Sequence, residues 1–116
     1  MARLEKLLKA ANVPVFASFD HDGNAAKADM KLRPTRVLVF GNPRVGTKLM
    51  QERQAAAIDL PLRVSVWQDE RNRVWVGYQN MDDLAATYGI KDRTTLAAMD
   101  KFISKLVGMS VNVYSY

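Results

Sequence analysis

Apolar residues recur along this chain with two different periods, and the change between them predicts where helices and strands lie. Leu4, Leu8 and Ala11 follow the spacing of an amphipathic helix, which predicts a helix over residues 2–12. The next segment, 13–20, alternates in steps of two and predicts a strand that is buried on at least one face. The chain therefore begins as a helix followed by a strand.

The polar run after this strand has two interpretations. Asp22 and Gly23 are typical of a hairpin turn, whereas the alanine-rich residues 25–32 have the spacing of a short helix. We favour a strand, then a turn or cap, then this helix. Pro34 ends it, because the residue before a proline is disfavoured in a helix.

A continuous apolar run at 37–40 predicts a strand in the middle of the sheet, covered on both faces. The Gly41-Asn42-Pro43 segment that follows provides a turn residue, a helix cap and a proline suited to the first helical position. Gly46 weakens the helix, so we expect the helix to start nearer Thr47.

Two alternating segments, 60–68 and 73–80, flank the short polar connection 69–72 and predict a hairpin. A brief helix closed by Gly89 follows, and then a longer helix over residues 94–107. Alternation in the last residues, 111–116, is compatible with a final strand. This order predicts a single α+β domain over residues 1–116, with a small, mainly antiparallel sheet and helices packed on one face.

Composition supports an ordinary globular domain. The 116 residues suit one core, and 48% are hydrophobic and 25% charged. Cysteine is absent, which excludes disulfides, thiol nucleophiles and cysteine metal sites. No apolar run is long enough to span a membrane, and the first residues lack the apolar core of a secretory signal. We expect a cytoplasmic protein without membrane contact.

The formal net charge of +5 is concentrated in the first half of the chain. Segment 27–53 holds many basic side chains, and Asp29 and Glu52 are its acidic ones. The basic residues are Lys27, Lys31, Arg33, Arg36, Arg44, Lys48 and Arg53. Such an excess attracts nucleic acid or anionic metabolites, although charged residues also simply keep a surface soluble. We rank nucleic acid last, because Phe40 is the aromatic residue of the segment and is expected to be buried.

Several short motifs resemble those of the domain-of-unknown-function family 302, over about residues 4–89. They are Asp20-His21, Leu32-Arg33-Pro34, Gly41-Asn42-Pro43, Gly46-Thr47, Asp59-Leu60-Pro61, and Trp67 with Tyr78. The resemblance implies a compact α/β domain that is often dimeric, and it implies no established activity. The chain departs from the family at 22–24, where Asp-Gly-Asn interrupts a segment that is usually alanine-rich and helical.

The Gly41–Thr47 segment joins a strand to a helix, so backbone N–H groups at the helix start could face a small anion. The ligand-binding candidates are Gly41, Asn42, Arg44, Gly46, Thr47, Lys48 and Asp59. No nucleotide-binding fingerprint is met. The alternative is a purely structural turn, since Asn and Pro are common at helix starts.

His21 follows Asp20 at a strand end, where a carboxylate could orient the imidazole as a general acid or base. The two side chains meet only where the chain turns, because neighbours on a strand point to opposite faces. The alternative is a solvated or capping histidine. Whether the protein is an enzyme stays open, and we expect no metal and no cofactor.

Trp67 and Trp75 lie on the predicted hairpin, and a sheet face without helices would expose both as an interface. We therefore expect a homodimeric binding or accessory module. Its pocket would take a small anionic ligand between the Asp20-His21 turn and the Gly41–Thr47 loop. The alternatives are an enzyme that uses His21, and a nucleic-acid binder that uses segment 27–53.

Overall fold

A five-stranded sheet in the order β1-β2-β3-β4-β5 is the centre of the computed structural model, which describes residues 2–107 and 112–115 and side chains of residues 4–105. The strands are β1 (Val15–Asp20), β2 (Thr35–Phe40), β3 (Leu62–Gln68), β4 (Val74–Tyr78) and β5 (Asn112–Ser115). The α-helices are α1 (Ala2–Ala10), α2 (His21–Lys27), α3 (Pro43–Glu52), α4 (Met81–Tyr88) and α5 (Arg93–Val107). A 3-10 helix, Gln54–Asp59, precedes β3.

The sheet is mainly antiparallel, as the sequence predicts. Strands β1 to β4 pair antiparallel, and β5 adds to the β4 edge in parallel. The predicted final strand is present at Asn112–Ser115, whereas Val111 and Tyr116 lie outside the described residues. The predicted hairpin is also present, and it joins β3 to β4.

One face of the sheet carries the core. Leu38 lies opposite Val64 and Phe40 lies opposite Leu62, and all four side chains are buried. Four helices place buried side chains in the same cluster, among them Leu4, Leu8, Leu49, Leu84, Leu96, Met99 and Ile103. This confirms helices packed on one face. The side chains of Leu106 and Val107, which continue the predicted stripe of α5, lie outside the described part.

We call the opposite face of the sheet the open face. Its residues alternate along each strand with the residues of the core face. Trp67 pairs directly with Trp75, and Phe19 pairs with Val37 in a neighbouring row. In the strand order, β2 is second and does not lie in the middle of the sheet. The run at 37–40 is continuously apolar because Val37 and Val39 are half-buried on the open face. In the part of the chain that the structure describes, helices do not cover the strand on both faces, although the sequence had indicated that they would.

Two helix boundaries differ from the sequence expectation. Helix α2 begins at His21, because the Asp20 carboxylate accepts the N–H of Gly23 at 3.0 Å. It ends at Lys27 because Asp29 adopts a φ of 59°, and the N–H groups of Asp29 and Met30 donate back to the last turn. The predicted helical stretch at 25–32 thus lies mostly beyond the helix.

Helix α3 begins at Pro43, four residues before the expected start near Thr47. The Asn42 side chain accepts the N–H of Arg44 at 2.9 Å and caps the helix. This cap and the following proline outweigh the helix-weakening effect of Gly46. The 3-10 helix at 54–59 was not predicted, because its alanine-rich sequence carries no clear period.

Candidate functional site

A cavity of about 540 Å³ opens where the start of β1 and the end of β2 meet α3, α5 and the start of β3. The Gly41–Thr47 loop forms one of its walls. Most of the lining is apolar and comes from distant parts of the chain, including Val13, Phe16, Val45, Met50, Leu60, Met99 and Phe102. A cavity of this volume is in the range of small-molecule sites in proteins.

Of the predicted ligand-binding residues, the cavity brings together Gly41, Asn42, Gly46 and Thr47. Among the residues whose side chains are described, Asn42 and Thr47 are the polar ones in the lining, and no charged side chain lines the cavity. Arg44 and Lys48 are exposed on α3, and neither they nor Asp59 line the cavity.

Asp59 has a different role from the one expected. Its carboxylate accepts a hydrogen bond from the hydroxyl of Tyr88 and pairs with the Arg63 guanidinium at 3.1 Å. The hydrogen bond to Asp59 and, after it, burial raise the pKa of Tyr88. Asp59 therefore joins α4 to the start of β3 and does not face the loop at 41–47.

The backbone donors at the start of α3 are used within the loop itself. Arg44 N–H donates to the Asn42 side chain, and the N–H groups of Val45 and Gly46 donate to the Asn42 carbonyl at 3.0 Å. Pro43 has no N–H. The cluster of N–H groups that the sequence suggested for an anion is thus engaged at these residues.

Glycines at 41 and 46 shape the cavity wall. A Cβ atom at Gly46 would meet the Met50 Cε atom at 3.9 Å, and a Cβ atom at Gly41 would meet the Pro61 Cβ atom at 3.6 Å. Both are ordinary contact distances, and neither glycine has the positive φ of Gly89. The backbone would accept a side chain at either position, and that side chain would occupy cavity space.

The Asp20-His21 turn does not share this cavity. Asp20 pairs with Arg36 near the opposite end of β2, and about 16 Å of extended strand separates position 36 from Gly41. The His21 ring is exposed and stacks on Phe19, with ring centroids 6.2 Å apart. Asp20 caps α2 and lies 3.6 Å from the Arg36 guanidinium. The expected pocket between turn and loop is therefore not formed.

The basic residues of segment 27–53 are divided between the two ends of β2. Lys27, Lys31 and Arg33 precede the strand, whereas Arg44, Lys48 and Arg53 follow it. Arg36 is paired with Asp20 and Asp22. A single basic stripe does not result.

Within the described ranges, the structure contains no cluster of three or more His, Cys, Asp or Glu side chains arranged to hold a metal ion. In residues 2–107 and 112–115, no helix combines the length and the apolar character needed to cross a membrane.

The cavity residues that sequence reasoning missed are Val13, Phe16, Met50, Met99 and Phe102. Each fits an amphipathic helix or a strand by itself, and no local pattern marks it as part of a cavity. The cavity arises only when α5 packs beside α3 and the start of β1.

The fold and this cavity describe a small single-domain α+β protein. The chain matches the family described as Domain of unknown function DUF302 over residues 1–106, and it belongs to that family. A solved structure has the same fold: the uncharacterized conserved protein DUF302 from Bacillus stearothermophilus, with a TM-score of 0.79 and 18% identity. The match covers 92% of this chain and 84% of that one.

Curated relatives carry a more specific name. The chain is 33% identical over 99 residues to proteins named fluoride-specific ion channel FluC 1 from Brucella suis and Brucella abortus. The match covers 84% of this chain but 39% and 37% of those proteins. The chain thus spans about two fifths of the length of the curated relatives that it matches.

Proposed function

We propose that this protein is a small-ligand-binding accessory module, that it binds its ligand in the cavity beside the Gly41–Thr47 loop, and that it acts as a homodimer. The observation that carries the proposal is the cavity of about 540 Å³, which is continuous with the family's glycine motifs at 41 and 46. Concave, mostly apolar sites with a few polar groups are the usual form of small-molecule sites.

The open face supports the dimer. Phe19 is 48% exposed, and Val37, Trp67 and Trp75 on the same face are half-buried. Interface cores are rich in aromatic residues and poor in charged ones. On the strands of this face Arg63 is the charged residue among those whose side chains are described, and it is paired with Asp59. The guanidinium of Arg73, from the β3–β4 turn, lies 5.8 Å from the centroid of the Trp75 ring and is paired with Asp69. A second copy of the chain would cover this apolar surface.

The accessory role is supported by the longer relatives. In them the matching segment is less than half of the protein, so this fold works as one part of a larger chain. Those proteins are named as fluoride-specific channels. We therefore propose that the module acts beside a partner protein and supplies ligand binding to it.

No observation in the structure favours the alternatives to the same degree. His21 stacks on Phe19 and is not oriented by the neighbouring Asp20, which caps α2. The basic residues of segment 27–53 are divided between the chain before β2 and the chain after it, and Arg36 within β2 is paired with Asp20 and Asp22.

Native mass spectrometry tests the proposal. The purified chain is incubated with a small-molecule extract of cells, isolated again and weighed under non-denaturing conditions. We expect a dimer mass with a defined additional mass, and we expect the additional mass to disappear in a Gly46→Leu variant, whose side chain would fill the cavity. A dimer without any added mass contradicts ligand binding, and a monomer contradicts the homodimer.

A further inference from the structure

We infer that the ligand of this cavity is an uncharged, mainly apolar small molecule, and that Gly46 determines its specificity by keeping free the space that the ligand occupies. The inference rests on the ligand binding proposed above and adds the chemical class of the ligand. It departs from the small anion that the sequence suggested.

Charge complementarity identifies the class. A quarter of this chain is charged, yet none of the lining residues that the structure describes is charged. Arg44 and Lys48 are on the helix that forms the wall, but neither contributes to the lining. A charged group moved from water into this site would lose hydration without gaining a partner, and this is costly. An uncharged apolar molecule loses little and gains contacts with the lining.

The backbone at the helix start gives the same result. Arg44, Val45 and Gly46 donate their N–H groups to Asn42, so these donors are not available to an anion. The polar side chains in the lining, Asn42 and Thr47, suit a single neutral group such as a hydroxyl or carbonyl. The ligand can therefore carry one neutral polar group at this end.

Gly46 has no structural reason to be a glycine. It lies inside α3, where glycine is less favourable than alanine. Its backbone has no left-handed φ, and a Cβ atom there would only contact the end of the flexible Met50 side chain. What a side chain at position 46 would change is the cavity, which Gly46 lines. Gly41 has the same property on the neighbouring wall, where a Cβ atom would contact Pro61 at 3.6 Å.

Isothermal titration calorimetry with matched probes tests this. Hexanol and hexanoate share an apolar chain and differ in charge, and inorganic phosphate represents an anion without an apolar part. We expect hexanol to bind the wild-type chain, hexanoate to bind about tenfold or more weakly because its carboxylate must be desolvated, and phosphate to give no binding heat.

Three variants locate the binding. Gly46→Leu should weaken hexanol binding about tenfold or more by occupying the site, and Gly46→Ala should weaken it less. Gln51→Leu is the control, because Gln51 is exposed on the same helix and does not line the cavity. Its affinity for hexanol should equal that of the wild type. Gly46→Ala keeps the test valid if the larger leucine prevents folding.

The outcomes separate this inference from the proposed function. If hexanoate or phosphate binds and hexanol does not, the chemical class is wrong while ligand binding stands. If no probe binds the wild type and the cell extract leaves no added mass on it, the proposed function fails together with the inference. If Gly46→Leu binds hexanol as the wild type does, or changes the oligomeric mass instead, Gly46 does not shape a ligand site.

Discussion

The indole N–H of Trp75 donates to the Oδ2 atom of Asp69 at 3.0 Å, so the carboxylate that holds the β3–β4 turn also fixes an aromatic ring on the open face. The Oδ1 atom of Asp69 accepts the N–H groups of Arg71 and Arg73, both at 2.9 Å. The Trp75 ring in turn stacks on Trp67 with centroids 6.3 Å apart. The geometry of the turn and that of the open face are thus connected through one side chain.

Replacing Asp69 by asparagine should lower the free energy of unfolding and make it depend less on pH in the acidic range. The hydrogen bond from Trp75 is the main cause that holds the pKa of Asp69 far below its ordinary value of 3.8, and the N–H groups of Arg73 and Arg71 add to it. A depressed folded-state pKa gives stability that is present above the ordinary pKa and is lost as the pH falls below it. Wild-type stability should therefore fall from about pH 5 towards pH 2, and Asp69→Asn should lose this component.

Urea unfolding followed by tryptophan fluorescence at several pH values measures this difference. Glu70→Gln is the matched control, since Glu70 is exposed in the same turn. If Asp69→Asn and Glu70→Gln show the same unfolding midpoint and the same pH profile, the hydrogen bonds of Asp69 do not stabilise the fold.

Tyr88→Phe should lower stability at neutral pH by removing the hydrogen bond to Asp59. This hydrogen bond, followed by burial, raises the pKa of Tyr88 above its ordinary value of 10.0. A raised pKa gives stability that is present below the ordinary pKa and is lost as the pH rises above it. The stability difference between wild type and Tyr88→Phe should therefore be largest at neutral pH and shrink above about pH 10.

Thermal unfolding across this pH range measures the effect, with Tyr78→Phe as a second tyrosine replacement. A difference between wild type and Tyr88→Phe that stays constant up to pH 11 and beyond would show that the Asp59 contact does not contribute as described.

Phe19→Lys should convert the proposed dimer into a monomer, because it replaces an exposed aromatic side chain of the open face with a charge. Sedimentation velocity over a range of protein concentrations measures the mass. Ile58→Lys is the control: Ile58 is 80% exposed on the 3-10 helix and is not part of a strand of the open face. Dimers of equal strength in both variants would place the interface elsewhere.

Gly46→Ala should raise the free energy of unfolding by up to about 1 kcal/mol, the usual gain when alanine replaces glycine inside a helix. The contact with Met50 at 3.9 Å leaves room for the added methyl group. Chemical denaturation of the two proteins measures this. A destabilised variant would mean that the helix requires glycine for packing, and Gly46 would then have a structural explanation.

Local patterns were sufficient for much of the fold. Alternation predicted β3 and β4, Gly89 ends α4 in the left-handed conformation as expected, and the core-facing residues of α5 follow its helical period. These elements are decided by periodicity and by caps within a few residues. The end of α2 could not be predicted in this way. Asp29 adopts the left-handed conformation that ends the helix, and glycine or asparagine would have indicated this position more clearly.

The site was less accessible from sequence. The Gly41-Asn42-Pro43 segment was correctly placed between a strand and a helix, but the hydrogen bonds that occupy its N–H groups depend on the Asn42 cap. Adjacent motifs also suggested one pocket for His21 and the loop, which strand register separates. Phe102 enters the cavity from α5, far away in sequence, and only tertiary packing brings it there.

Methyl NMR of methionine gives the sharpest test of ligand binding in this cavity, because the chain carries its own reporters. Met50 and Met99 line the cavity, whereas Met81 is buried in the core and Met30 is 67% exposed. We label the methionine methyl groups with 13C and titrate the chain with hexanol. If hexanol binds in the cavity, the methyl chemical shifts of Met50 and Met99 should change and saturate, with little change at Met30 and Met81. Equal shifts at all four, or none at Met50 and Met99, would contradict a ligand site in this cavity.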